Sequence, residues 1–376
     1  MTEPRFLQIH FLAPYVASLL NRDDAGLAKR LPFGQHMRTR ISSQCLKYHW
    51  RKVEDRHALK HIEGFQDSFR SRETVGQRVM AGMVAEPEVL EAVTDAILTA
   101  VYGEKGTEKK SRQTLLLGDV EVAYLRKEAS RLIGEAGDDV KKAKQAVTEW
   151  SKDVKANLKA MRDNAALPGG LVGALFGRMV TSDPTANIDA PVHVAHAFTV
   201  HAEEAEADYF IAADDLARDE DTGADTIQET ELTSGLFYGY VVVDVPGLMA
   251  NVGQDARLAG EVLHNLLYLI AETSPGAKLG STAPYSRASF MMVEAGDRQP
   301  RSLAEAFRVP SKPVLSDAVE NLAGYLASLD ALYSTGETRH VMSLADIDIA
   351  GADRGNLAEL AGFVRGLPEH FMKDAA

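Results

Sequence analysis

The chain has 376 residues, with 41 Lys and Arg against 54 Asp and Glu, which gives a formal net charge of −13. Its 45% hydrophobic and 25% charged content is typical of a globular protein with two or three structural units. The sequence lacks both an apolar run of about 18 residues and a basic leader, so neither a membrane span nor a secretory signal is expected. A single cysteine, Cys45, excludes an internal disulfide framework and favours a cytoplasmic location.

The first predicted elements are a strand and a helix. Residues 5–12, RFLQIHFL, alternate well enough to predict a strand. After a polar loop, Ser42 and Ser43 are favourable N-cap residues, and Leu46 and Trp50 follow them at helical spacing. A helix is therefore expected to begin at these serines.

Positive charge is concentrated in and before this helix. Residues 27–60 hold nine Lys and Arg against two acids. Lys47 and Arg51 are four residues apart and share a helical face, and the free N–H groups of a helix N-terminus favour a phosphate. The serine hydroxyls, Gln44 and the flanking arginines would complete a phosphate clamp. An exposed basic helix that only confers solubility is the alternative.

From about residue 60 to 165 the pattern is helical, with few strand signals. Its clearest element, 138–164, has an apolar stripe on one face. Another face carries cations at i, i+3 and i+4 steps: Lys141, Lys144, Lys152, Lys155, Lys159 and Arg162. Such a row could follow a nucleic-acid backbone, and a solvated face opposite a buried stripe is the alternative.

The second half of the chain returns to strands. A glycine-rich segment, 167–182, is followed by the strand-like 193–202 and by an acidic stretch, 203–231, with twelve acids against one arginine. Residues 234–245 are aromatic and β-branched and form the strongest predicted strand. A later loop carries Lys278, which could approach a phosphate. Further helices are expected near 253–272, 314–332 and 355–366.

The sequence carries no motif for phosphate-loop, redox or metal chemistry. There is no Walker A loop, no paired CxxC and no HExxH, so no cofactor or metal is predicted. His193 and His196 are three apart in a predicted strand and would point to opposite faces. Asp23 and Asp24 could hold a divalent ion or cleave RNA, but adjacent acids on a turn are more often loop or capping residues.

Seven blocks of sequence, taken in order, resemble one family. They are LNRDD (20–24), RTRISSQCLK (38–47), GRMVTS (177–182), HVAHAFTVH (193–201), DYFIAADDL (208–216), SGLFYGY (234–240) and SPGAK (274–278). They resemble the backbone subunit of Cascade, the type I-E CRISPR surveillance complex. The resemblance is strongest at 5–52 and 171–290 and weakest in the helical segment and the C-terminal tail.

The resemblance implies an α+β fold shaped like a hand. A palm built on a modified RNA-recognition (ferredoxin-like) fold would carry a helical fingers insertion and a thumb β-hairpin. The implied boundaries are palm at 1–59, fingers at 60–170, palm at 171–200, thumb at 201–232, and palm with C-terminal helices at 233–376.

The family's RNA contacts carry over to this sequence position by position. The guide backbone would be held by Arg22, Lys29, Arg38, Arg40, Ser42, Ser43, Gln44, Lys47, Arg51 and Lys278. Met179 would wedge beside a flipped nucleotide, opposite Tyr209, Phe210 and Ile211 of the thumb, and apolar wedges suit this role because they stack without reading sequence. Ile211 stands where the family usually has a small hydroxyl residue. The finger lysines Lys141, Lys142, Lys144 and Lys152 would contact DNA.

The resemblance also implies the partners. Copies of the chain would stack along a CRISPR guide RNA, kink it at regular intervals and present it for pairing with target DNA in antiviral defence. The other partners would be the large subunit, the small subunits, the subunit that binds the 5′ handle, and the repeat endonuclease. No catalytic residue is expected. The competing hypothesis is a metal-dependent endoribonuclease that cleaves guide-bound target RNA through Asp24, as related backbone proteins of type III complexes do.

Overall fold

The computed structural model describes residues 4–211 and 227–372, and these residues form a mixed α+β fold. In chain order its strands are β1 (Phe6–Ser18), β2 (Arg30–Phe33), β3 (His36–Ile41), β4 (Ser68–Ser71), β5 (Leu115–Gly118), β6 (Val192–Val194), β7 (Ala197–Thr199), β8 (Ala205–Ile211), β9 (Ile227–Asp244), β10 (Phe290–Gly296), β11 (Thr338–Ser343) and β12 (Ala352–Arg354).

The α-helices lie between or after these strands. They are α1 (Ser43–Lys52), α2 (Pro87–Tyr102), α3 (Asp119–Ala136), α4 (Val140–Asn164), α5 (Gly170–Phe176), α6 (Val245–Asn251), α7 (Ala256–Glu272), α8 (Leu279–Thr282), α9 (Leu315–Tyr333) and α10 (Leu357–Gly366). Short 3-10 or π turns lie at Leu59–His61, Val75–Val79, Lys109–Ser111, Pro184–Ala186, Ala304–Phe307 and Leu367–Met372. Within the described ranges, none of the helices is long and apolar enough to cross a bilayer.

The chain is divided into two compact units. The first comprises residues 1–58, 193–245 and 260–376, and the second comprises 59–192 and 246–259. Residues 171–192 thus group with the second unit, whereas the sequence placed them with the palm. One reason is local, because the Leu171 nitrogen donates to the Gln66 carbonyl at 2.9 Å.

A large mixed sheet forms the centre of the first unit. Its strand order is β12-β11-β10-β1-β9-β7-β3-β2, in which only β11 and β12 are parallel, and β6 and β8 also pair with β9. The strand predicted at 5–12 is confirmed as part of β1, and the one at 234–245 as part of β9. β1 lies between β9 and β10, and its consecutive residues from Leu7 to Ala13 are buried, so both of its faces are covered in this part of the sheet.

The core of this sheet depends on close packing against one glycine. Phe11 on β1 pairs with Gly239 on β9, and a Cβ atom on Gly239 would lie 2.1 Å from the ring carbon Cζ of Phe11. Next to Gly239, Tyr238 of β9 is fully buried together with Phe290 of β10 and with Phe307. Glycine at 239 is therefore required by the aromatic ring that occupies the place of its side chain.

A buried ionic network lies on the same sheet. His10 is fully buried, with Nε2 at 3.0 Å from the Glu294 carboxylate and Nδ1 at 2.9 Å from the Tyr238 hydroxyl. Glu294 also accepts hydrogen bonds from Arg301 at 2.6 Å and from Arg339 at 2.6 Å. Since a buried carboxylate requires charged partners, this network holds β1 and β10 to the segments that carry the two arginines.

The second unit is a helical layer built around one apolar core. Trp150, Val154 and Leu158 of α4 are buried against residues of α2 and α3, as the predicted apolar stripe requires. The structure adds an element that the sequence did not predict, the antiparallel hairpin of β4 and β5. Its strands are separated by more than forty residues, so no short turn signal marks it.

Candidate nucleic-acid interface

The site begins where β3 ends and α1 starts. The Ser42 hydroxyl accepts a hydrogen bond from the Cys45 nitrogen at 3.3 Å, so Ser42 is the N-cap of α1. The Ser42 nitrogen donates to the side chain of Asn21 at 2.9 Å, which fixes the preceding loop against the cap. The first turn of α1 contains no acidic residue. The predicted helix start is confirmed, and its N-terminus keeps the positive end of its dipole uncompensated by a first-turn carboxylate.

Arg40 contacts a histidine, His196, at this helix start. The Nδ1 atom of His196 lies 3.1 Å from the Arg40 guanidinium and accepts a hydrogen bond from the Ser43 nitrogen at 3.3 Å. Partial burial, with Arg40, Lys29 and Lys47 nearby, lowers the pKa of His196 below 6.5. Because both neighbours of Nδ1 are donors, His196 is neutral and carries its proton on Nε2.

The exposed face of α1 continues this positive surface. Gln44, Lys47, Tyr48 and Arg51 follow one another at the spacing of a single helical face. The Tyr48 side chain is 52% exposed, and the Arg51 guanidinium lies 5.7 Å from the centre of its ring. This face thus presents charge and one aromatic ring, the two features that a single-stranded nucleic acid uses.

Arg38 does not belong to this surface, contrary to the sequence-based prediction. Its side chain is fully buried and donates to the carbonyl oxygens of Thr199 at 3.2 Å and Phe307 at 2.8 Å. A third carbonyl, that of Phe33, lies 3.4 Å away. Arg38 and Arg40 point to the same face by strand alternation, yet only Arg40 reaches the cluster at α1, because Arg38 is covered by the segment around Phe307.

Arg22 and Lys278 lie on the loops beside this cluster. Arg22 is exposed and forms an isolated bridge with Ala28. Lys278 has a left-handed backbone conformation, and its Nζ donates to the Thr230 hydroxyl of β9 at 2.5 Å. Ala277, next to it, donates its backbone N–H to the Leu19 carbonyl at 2.8 Å.

The base of the β8–β9 hairpin is tied to β2 by an ion pair. Arg30 donates to Glu203 at 2.5 Å and to Glu231, whose carboxylate also accepts from the Ala28 nitrogen. The neutralised Arg30 therefore has a structural role. The predicted thumb residues Tyr209, Phe210 and Ile211 lie in β8, where their backbones pair with residues 227–229, and their side chains lie outside the described part of the structure.

The remaining predicted residues lie in the second unit. Met179 is 69% exposed and follows Arg178, which is buried and donates to Glu121 at 2.5 Å. Lys141, Lys142, Lys144 and Lys152 are all exposed on α4. The Lys152 ammonium lies 2.6 Å from Glu149, which raises its pKa. The predicted lysine row is therefore interrupted by acids at helical spacing.

The Asp23–Asp24 loop shows turn geometry. One carboxylate oxygen of Asp23 accepts from the nitrogens of Ala25 at 2.9 Å and Leu27 at 3.0 Å. Asp24 is exposed. Among the residues that the structure describes, no group of three His, Cys, Asp or Glu side chains could hold a metal ion.

His196 is the functional candidate that sequence reasoning did not select. Treating 193–202 as one continuous strand left His196 without a role. The structure breaks this segment into β6 and β7, and His196 lies in the gap between them. The pairing of β3 with β7, through Arg40 and Phe198, brings this histidine next to the basic block. The sequence alone does not show that pairing.

Comparison with known proteins agrees with this fold. The family model described as CT1975-like protein matches residues 7–365. A chain of a solved "CRISPR RNA-guided surveillance complex, pre-nicking" has a TM-score of 0.78 and 23% sequence identity, covering 96% of this chain and 100% of its own. A chain of a "CRISPR RNA-guided surveillance complex" has a TM-score of 0.59 and 21% identity, covering 96% and 98%. No curated protein matches the sequence.

These findings confirm the resemblance that was found in the sequence. The family match spans nearly all of the chain, and chains of CRISPR RNA-guided surveillance complexes share its fold. The α+β architecture is confirmed as well. This chain belongs to the CT1975-like protein family.

Proposed function

We propose that this chain is a non-catalytic backbone subunit of a Cascade-type complex that binds CRISPR guide RNA. Its palm would be a modified RNA-recognition fold formed by the large sheet. Family membership and the likeness to surveillance-complex chains support a role in such a complex. The residues that would contact RNA are those gathered at the start of α1.

The arrangement of Arg40 at the start of α1 carries this proposal: its guanidinium lies 3.1 Å from His196 Nδ1, and its backbone nitrogen donates to the Lys29 carbonyl at 2.7 Å. Lys29 and Lys47 are also near enough to lower the pKa of His196. Three cations beside an uncompensated helix N-terminus form an environment suited to a phosphate group. A guide spacer has no fixed sequence, so a scaffold must hold it by its backbone. Backbone amides, serine hydroxyls and cations meet that requirement because none of them distinguishes one base from another.

The thumb and the second unit would shape the bound guide. In this proposal Met179, with Tyr209, Phe210 and Ile211, wedges between nucleotides and kinks the guide at regular intervals. The acidic stretch 203–231 would reach a basic surface on the next copy, which would make assembly salt-sensitive. Large and small subunits, the handle-binding subunit and the repeat endonuclease would complete the particle, which would pair its guide with target DNA.

The test is assembly on a guide. Tagged chain, its partner subunits and a CRISPR array are co-expressed, and the purified particle is examined by size exclusion with absorbance at 260 and 280 nm. We expect a large particle that carries one defined RNA. The Lys29→Ala/Arg40→Ala/Lys47→Ala variant should yield little or no RNA, because removing each cation from a phosphate weakens binding to a single strand by about fivefold near 0.1 M salt.

A matched variant removes three positive charges elsewhere in the first unit. Arg308, Lys312 and Arg365 are mostly exposed, and each lies beside a single carboxylate. Their triple alanine variant should assemble with a full RNA content. Equal RNA loss in both variants, or an RNA-free wild-type protein despite verified guide processing, would refute the proposed function.

The endoribonuclease hypothesis has its own test. RNA-loaded protein is incubated with complementary RNA and Mg²⁺, and wild type is compared with Asp24→Ala. In the proposed scaffold the complementary RNA stays intact in both samples. Cleavage by wild type that Asp24→Ala abolishes would establish the enzyme instead.

A further inference from the structure

A second cationic surface lies in the second unit, on β4 and the loop that leads to β5. Six cations come from these two segments: Arg70, Arg72, Lys105, Lys109, Lys110 and Arg112. The same segments contribute three acids, Glu73, Glu104 and Glu108, so the local charge is 6 − 3 = +3. Five of the six cations are exposed, in a chain whose net charge is −13. We call these six residues the β4 surface.

Arg112 is the residue that builds the β4 surface. Its guanidinium donates to the carbonyl oxygens of Gly106 at 2.6 Å, Thr107 at 3.2 Å and Arg72 at 3.4 Å. The loop that carries Lys105 is thus fixed against the end of β4. Arg72 in turn donates to the Thr114 hydroxyl at 3.2 Å, which closes the same arrangement from the β5 side.

One acid, Glu73, pairs with two of these cations. Glu73 lies 3.3 Å from the Lys109 ammonium and 3.6 Å from the Arg112 guanidinium. One carboxylate shared by two cations leaves a positive excess, and neither Arg70 nor Lys110 is among the partners of Glu73. Arg72, Lys109 and Arg112 are thus held at fixed positions, which lowers the entropic cost of binding a polyanion through them.

The β4 surface adjoins the loop that carries Met179. Gln113, between Arg112 and Thr114, accepts a hydrogen bond from the Thr181 hydroxyl at 2.8 Å. Thr181 lies two residues after Met179, whose side chain is 69% exposed. An exposed apolar residue beside fixed cations is the combination found where proteins meet a nucleic-acid backbone and a base step together.

The α4 lysines offer a weaker field. Lys152 is paired with Glu149 at 2.6 Å, and Lys159 is paired with Asp163 at 2.8 Å. On the neighbouring helix α3, Arg131 is held between Glu128 and Glu135. Residues 138–164 hold seven cations against five acids, so the local charge is 7 − 5 = +2, and it acts over only about 8 Å at physiological salt.

We propose that the β4 surface binds the phosphate backbone of DNA. This inference deepens the proposed function and rests on it, since a guide-bearing complex must hold the DNA that it samples. The contact would not depend on the base sequence of the DNA, because the cations would neutralise backbone phosphates and release their counterions. Duplex and single-stranded DNA share this chemistry, and the experiment distinguishes them.

The test compares two triple variants with the same change in charge. Arg70→Ala/Lys105→Ala/Lys110→Ala alters the β4 surface and spares Arg112, which holds the loop. Lys141→Ala/Lys142→Ala/Lys144→Ala alters α4. Binding of the full-length chain to labelled duplex DNA and to labelled single-stranded DNA is measured by anisotropy over a range of salt concentrations. Thermal unfolding verifies that each variant is folded.

We expect the β4 variant to bind duplex DNA at least about tenfold more weakly, with a salt slope reduced by about 0.9 for each phosphate that is no longer neutralised. The α4 variant measures how much of the DNA affinity comes from the other predicted DNA surface, and its loss should not exceed that of the β4 variant. A loss on single-stranded DNA alone would assign the surface to a displaced strand. An unchanged affinity of the β4 variant, or a loss confined to α4, would refute the inference.

The failure of this inference and the failure of the proposed guide binding can be told apart. Guide content is read from the absorbance of purified particles, whereas DNA affinity is measured on the chain without guide. A chain that assembles on guide RNA while its β4 variant binds DNA normally would refute only the inference. A chain that never carries RNA would refute only the proposed function.

Discussion

The imidazole Nδ1 of His196 lies 3.1 Å from the guanidinium of Arg40. An atom that faces two donors, Arg40 and the Ser43 nitrogen, must act as an acceptor. His196 therefore holds Arg40 against the start of α1 and is a positioning residue for the cationic cluster. Its other ring nitrogen, Nε2, keeps its proton and can donate to a ligand, because the His196 side chain is exposed.

Replacing His196 tests this positioning role. His196→Ala should weaken RNA binding roughly fivefold, the effect of losing about 1 kcal/mol of hydrogen bonding at Arg40. His196→Asn places an amide oxygen where Nδ1 was and should restore most of the affinity. Anisotropy with a labelled RNA measures both. Equal weakening by Ala and Asn would show that the acceptor atom is not what matters.

Arg38 should affect stability and leave the electrostatics of RNA binding unchanged. Arg38→Met leaves several buried carbonyl groups without a donor and should lower the free energy of unfolding by about 2–4 kcal/mol. Lys29→Met should have the opposite profile, with unchanged stability and a salt slope for single-stranded RNA reduced by about 0.7. Urea unfolding and salt-dependent binding separate the two. A reduced salt slope for Arg38→Met would return Arg38 to the RNA surface.

The carboxylate of Glu294 should be among the most sensitive positions in the fold. Glu294→Gln removes the buried carboxylate that pairs with Arg301 and Arg339, of which Arg339 keeps Asp330, and should cost about 3–5 kcal/mol. Glu305→Gln removes a carboxylate that pairs with Arg308 at the surface, and should cost less than about 1 kcal/mol. The free energy of unfolding in urea measures both. Similar small losses would contradict the network's role.

The fold should lose stability in mild acid. Burial lowers the pKa of His10 below 6.5, while its contact with Glu294 opposes this shift. Below pH 6.5 the unfolded chain therefore takes up a proton more readily than the native chain. This contribution is fully present above pH 6.5 and is lost as the pH falls toward the pKa of His10 in the native state.

The groups that face His10 come from several elements: Tyr238 and Tyr240 on β9, Glu294 on β10, Arg301 beyond it and Arg339 on β11. A thermal melt from about pH 7 to about pH 5 should show a falling Tm. Glu294, whose pKa is held well below its usual range, should add its loss only in stronger acid. Burial also lowers the pKa of His57, as it does that of His196. The His57→Asn/His196→Asn variant is therefore the control, because it removes both of these histidines and leaves the neighbours of His10 in place. A Tm that became independent of pH in that variant would exclude His10 as the source.

Gly239 should not tolerate a side chain. Gly239→Ala places a Cβ atom within the Phe11 ring and should cost about 1–3 kcal/mol. Phe11→Leu should recover part of that loss in the double variant, because the smaller side chain leaves room for the new methyl group. Denaturant unfolding of the two single variants and the double variant forms a cycle. Additive losses would show that the two residues do not compete for one space.

Periodicity explains what could be predicted from the sequence. The start of α1 was predictable because two serines precede a helical apolar pattern, and α4 because its stripe is long. Arg38 and Arg40 look equivalent in sequence, and only the tertiary packing of β3 separates a buried arginine from a partly exposed one. The lysines of α4 could be predicted as a row. Glu149 and Asp163, which pair with Lys152 and Lys159 at i−3 and i+4, reduce the positive charge of that row. The β4–β5 hairpin joins distant segments that carry no turn signal.

One consequence follows from the length of β9. The strand is 18 residues long, about 60 Å when extended, and runs without interruption from its pairing with β8 into the middle of the large sheet beside β1. In an assembly where the hairpin grips a neighbouring copy, tension would travel along one covalent strand. The backbone hydrogen bonds between β9 and β1 would then resist it together, in shear. Over residues 227–244 the chain is a single strand, so this part of the hairpin would be stiffly joined to the large sheet.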